Sequence, residues 1–102
     1  MKECCKLYLD EQFDGDADVT AEVYAEYASS VQGKMDEAGA ALAASDWPQL
    51  DKIAHTIKGN ALAAGDKETA ETAISLRKVA ALGDAALAAP LVDRLKELAK
   101  EL

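Results

Sequence analysis

The sequence predicts an all-α fold, an antiparallel up-down four-helix bundle with a short additional N-terminal helix. Three observations carry this. Half of the 102 residues are apolar, mainly alanine and leucine, while aromatics and prolines are few, a composition that favours helices over strands. Apolar residues recur at alternating spacings of four and three, one buried stripe per helix. Glycine and aspartate punctuate the stripes at Asp14-Gly15-Asp16, Gly65-Asp66 and Gly83-Asp84. Helices joined by such tight turns must run antiparallel to their neighbours.

From about Lys2 to Phe13 a short helix aligns Cys5, Leu9 and Phe13 at i+4 spacing. Asp16 or Asp18 is available to cap the second helix. That helix is long, from about Val19 to Ala44, with Tyr24, Ala28, Val31, Met35, Ala38 and Leu42 as its core stripe. Gly33 and Gly39 lie off that stripe and weaken it. Asp46 caps the central helix, with Gln49 placed for the reciprocal bond of a capping box and Pro48 harmless in the first turn. Gly65 stops it and Asp66 caps a helix over about Lys67 to Leu82. The apolar face there is Ala73, Leu76 and Ala80, with Ala70 and Ile74 at the edges. The last helix carries Leu87, Leu91, Leu95, Leu98 and Leu102 in phase. Pro90 within it predicts a kink, or a helix that starts near Ala88.

A formal net charge of −8 argues against nucleic acid and anionic membrane surfaces as partners. No apolar run approaches the ~20 residues of a membrane span, and the N-terminus lacks a signal peptide's apolar core. The expectation is one cytoplasmic domain over residues 1–102. Cys4 and Cys5 are adjacent and form no disulfide framework, so they read as partly buried small residues of the first helix. With a single histidine in the chain, no metal site and no cofactor are expected. A Gly-rich phosphate loop is absent too, so nothing here binds ATP.

The central helix holds the chemistry. Leu50, Ala54, Ile57, Ala61 and Ala64 stay within about 40° of Leu50 at 100° per residue. His55, the lone histidine, falls about 140° away and Gly59 about 180° away, so both face water. Glycine in a helix costs about 1 kcal/mol relative to alanine. In an alanine-rich chain, a bare backbone at i+4 from an exposed imidazole reads as room for something to approach closely. Lys58, at i+3, neighbours His55. Two adjacent cations make a poor stability device, but the pair makes sense if the histidine nitrogen carries a phosphoryl group.

His55-Thr56-Ile57-Lys58-Gly59 resembles the His-x-x-Lys-Gly signature of histidine phosphotransfer (HPt) domains, the intermediates of multi-step phosphorelays in two-component signal transduction. The resemblance extends to the helix start at Asp46-Trp47-Pro48-Gln49-Leu50 and the stop at Gly65. It implies a phosphocarrier that is not itself an enzyme. His55 would accept a phosphoryl group from a receiver-domain aspartate and pass it to another. Lys58 would stabilise the phosphoryl charge and Gly59 would permit close approach. Lys52, Thr56, Leu62 and Ala63 project around His55 as the docking surface. The implied partners are response-regulator receiver domains, which would supply the magnesium, and a hybrid sensor kinase. Two other readings stand beside this one. A helical adaptor without chemistry would leave the Lys-Gly placement unexplained. An acid–base or metal enzyme using the lone histidine would need a cleft with a second catalytic group, for which Asp51, at i−4, is the only nearby candidate; a carboxylate there reads as a solvated helix charge.

Overall fold

The computed structural model describes all 102 residues. Its six helices are α1 (Glu3–Gln12), α2 (Ala17–Gly33), α3 (Met35–Ala43), α4 (Trp47–Ala64), α5 (Lys67–Leu82) and α6 (Ala85–Lys100). Four of them begin on an aspartate whose carboxylate accepts the N–H three residues on. Asp16 takes Val19 (3.2 Å), Asp46 takes Gln49 (3.2 Å), Asp66 takes Thr69 (3.3 Å) and Asp84 takes Leu87 (3.1 Å). Each such cap satisfies an otherwise orphaned donor and stabilises its helix by about 1 kcal/mol. Asp46 caps alone, because the Gln49 side chain returns no bond. Gly65 ends α4 in the left-handed region (φ 74°). A side chain there would also run into Tyr8 of α1, so glycine is required twice over.

Three expectations are corrected. The long second helix is two, α2 and α3, divided at Lys34. Lys34 keeps a right-handed conformation (φ −90°, ψ −7°) and its N–H bonds Val31 three residues back at 3.1 Å. The chain is therefore tightened by a turn and not reversed. Gly33, the weakest helix former available, precedes the break, and Asp36 and Glu37 favour a fresh N-terminus after it. In α6 the helix starts at Ala85 and runs through Pro90. Its buried stripe is Ala88, Val92, Leu95, Leu98 and Ala99, while Leu87 is 52% exposed and Leu91 half-buried. Small Ala88 lets the start of α6 lie close to its neighbours, so the leucine phase holds only from Leu95 on. In α1, Cys5 and Leu9 are buried, but Cys4 and Phe13 face solvent.

The chain closes into four bundle members. α4 packs on α5, α5 on α6, and α6 on both α2 and α3, which in turn pack on α4. Together α2 and α3 act as one member; about 27 helical residues span ~40 Å, against a long axis of 43 Å. The core is one continuous cluster, with Leu50, Ile57, Leu76, Val31, Val92 and Leu95 fully enclosed. Helix α1 packs across α2 and α4. It is tied by the Lys2 ammonium to buried Asp66 (3.1 Å) and by the Lys2 N–H to the Tyr24 hydroxyl (3.3 Å). Burial, with the Asp66 charge nearby, pushes the Cys5 thiol up to about 12, which leaves it inert as a nucleophile.

Candidate functional site

Helix α4 buries Leu50, Ile53, Ala54, Ile57, Ala61 and Ala64 against the other helices. Its opposite face carries His55 and Gly59, both exposed, with Lys52, Leu62 (54% exposed) and Ala63 also in solvent around them. Thr56 is half-buried and its hydroxyl donates back to the Lys52 carbonyl (3.2 Å), so it is occupied within its own helix. Asn60, one turn on from Thr56, donates to the Ser30 hydroxyl of α2 (2.9 Å) and helps fix α4 in place. Lys58 is half-buried rather than exposed. It lines a groove of about 610 Å³ between α4 and α5 together with Trp47, Pro48, Asp51, Arg77 and Lys78. No carboxylate pairs with its ammonium.

A residue of α5 completes the face. Arg77 Nη1 lies 3.1 Å from His55 Nδ1, and Arg77 Nε donates to Asp51 Oδ1 at 2.9 Å. A guanidinium has five donors and no acceptor, so Nδ1 must be the acceptor and the neutral ring carries its proton on Nε2. No protein group bonds Nε2. Asp51 is thus not a free solvated charge but the anchor of the arginine that meets the histidine. The sequence did hold a signal for this. With α4 and α5 reversing at Gly65-Asp66, residues about equally far from that turn come together, and His55 and Arg77 are ten and eleven positions from it.

The result is a local excess of positive charge, Lys52, Lys58, Arg77 and Lys78, on a chain of net charge −8. Such a face suits an anion that arrives or is formed at the imidazole. No cluster of three or more His, Cys, Asp or Glu side chains could hold a metal ion, and both cysteines are free. None of the six helices is long and apolar enough to cross a membrane.

Comparison with known families matches residues 22–102 to the Hpt domain. The chain belongs to the Hpt family. Hpt domains are the histidine phosphotransfer modules of phosphorelays and interact with the receiver domains of response regulators. The match covers the bundle, with α1 and the first turn of α2 lying ahead of it. Neither a comparison with curated proteins nor one with solved structures returned a match.

Proposed function

We propose that this Hpt domain is the phosphocarrier of a cytoplasmic relay, with residues 1–102 acting as one unit. In this reading His55 takes a phosphoryl group from the aspartyl phosphate of one receiver and gives it to the aspartate of another. The observation that carries this is an exposed imidazole whose Nδ1 is engaged by Arg77 and whose Nε2 is open. The N–P bond forms at Nε2 as the aspartate O–P bond breaks. The carboxylate departs on the receiver. Attack needs the Nε2 lone pair, so the ring proton first moves through water from Nε2 to Nδ1, in place of the Arg77 bond, and passes from Nδ1 to water once the N–P bond has formed. The transferring group spreads negative charge over three oxygens. Lys58, whose ammonium has no carboxylate partner, is free to meet that charge. Gly59 leaves the receiver room to bring its aspartate into line with Nε2. Lys52, Thr56, Leu62 and Ala63 form the surrounding contact, apolar at Leu62 and Ala63 and cationic at Lys52.

The test is transfer from a phosphorylated receiver. The chain becomes labelled on one site that is labile in acid and stable in base, and His55→Gln folds normally but takes no label. Label persisting in that variant would sink the assignment, because the chain has no second histidine.

A further inference from the structure

We propose that Arg77, held by Asp51, protects the phosphohistidine from hydrolysis by occupying the Nδ1 lone pair. The proposal rests on His55 being the phosphoryl carrier and concerns how long the carried group survives. When water cleaves a phosphoimidazole, its oxygen bonds to phosphorus, the N–P bond breaks and the bonding pair stays on the ring. The ring leaves readily only if the opposite nitrogen has first taken a proton, so that it departs as neutral imidazole and not as an anion. With the phosphoryl group on Nε2, that opposite nitrogen is Nδ1, the atom Arg77 Nη1 meets at 3.1 Å. The guanidinium stays protonated throughout the working range of pH and yields no proton. A solvent proton must displace a charge-assisted hydrogen bond before it can reach Nδ1.

The geometry at Arg77 has little else to recommend it. Its side chain is 36% exposed and that of Asp51 43% exposed, and an ion pair so wet adds little to folding. Yet the Asp51 bond to Nε fixes one edge of the planar fork and aims Nη1 at the ring. The other charged groups on this face are Lys52 and Lys58 from α4 and Lys78 from α5. From α2, Glu26 lines a separate groove beside Asn60. No side chain of α1 or α3 lines the groove that holds Arg77. The nearby charges are mostly positive, but only Arg77 touches Nδ1.

The experiment loads His55 with phosphoramidate, removes the donor, and follows phosphohistidine decay from acid to mildly alkaline pH. It compares wild type, Arg77→Leu, Arg77→Gln and Asp51→Asn. Arg77→Leu should lose the group about three- to tenfold faster near neutrality, the worth of one partly exposed charge-assisted bond. Its acid-accelerated limb should begin at higher pH. Arg77→Gln keeps an N–H that can reach for Nδ1 and should recover part of the lifetime; Asp51→Asn should fall between. Denaturant midpoints should be unchanged throughout, which separates this role from a structural one. Equal or slower decay in Arg77→Leu, with an unshifted pH profile, overturns the proposal and leaves the carrier reading standing. Absence of any label on wild-type His55, from phosphoramidate and from a receiver alike, overturns the carrier reading and this proposal with it.

Discussion

Beyond its chain neighbours and the backbone of its own helix, nothing lies within 4 Å of the position a Cβ on Gly59 would take, and its φ is an ordinary helical one. The fold therefore gives no reason for glycine at this position. Alanine there should stabilise the helix by about 0.5–1 kcal/mol while one methyl leaves docking tolerable. Glutamine should keep the fold but hold a receiver's aspartate away from Nε2, since a shift of about 1 Å can cost on the order of 100-fold in rate. Thermal unfolding beside phosphotransfer rate checks both; wild-type transfer by Gly59→Gln would remove the close-approach reading. His55, Gly59 and the buried stripe behind them were legible because a single helix phase decides where each points. Arg77 was missed because its meeting with His55 depends on how α5 is rotated about its own axis. The narrow, alanine-rich face of α5 left that rotation loosely specified: Ala70, placed at its edge, is buried, and so is Thr69, which the apolar pattern left out.

At the scale of the element, aspartate caps and glycine stops are readable because each acts within four residues, and three of the four caps fell where a single candidate stood. The fourth was decided between Asp16 and Asp18 in favour of Asp16. Helix interiors were less legible where alanine and leucine compete for the core. In α6 the more apolar side chains suggested Leu87 and Leu91, whereas close packing selected Ala88 and Val92. Pro90 sits on the exposed side of that helix and leaves the Ala86 carbonyl without its N–H partner. Both residues face solvent, so water can reach the carbonyl, which is why the helix continues. Pro90→Ala should still raise stability by about 2 kcal/mol. That is the ~3 kcal/mol of an interior proline less the ~0.5–1 kcal/mol by which proline restricts the unfolded chain. Urea midpoints at constant slope would register it, and no gain would mean that the ring lies in α6 without strain.

Across the whole molecule, distant segments converge on Asp66. Besides capping α5, its fully buried carboxylate accepts from the Tyr27 hydroxyl of α2 (2.7 Å), the Thr69 hydroxyl (2.8 Å) and the Lys2 ammonium ahead of α1 (3.1 Å). Only the cap was visible in the sequence, since Lys2 is 64 positions away and no local pattern joins them. Burial alone would push this carboxyl up, but the bonds from Tyr27, Thr69 and Lys2 outweigh it and hold the group below its ordinary value of 3.8. The folded state thus binds its proton more weakly than the unfolded state does. The stabilisation is complete above that ordinary value and is lost as pH falls below it, through the depressed folded value. Asp66→Asn leaves a partly buried ammonium unpaired and should cost about 3 kcal/mol near neutrality. It should also flatten the fall in stability below about pH 4. Urea unfolding at neutral and acid pH tests the two together. A variant that is destabilised at neutral pH yet loses as much again on acidification would shift the acid sensitivity to other carboxylates. The bundle's tie to α1 would then be electrostatically neutral in its response to pH.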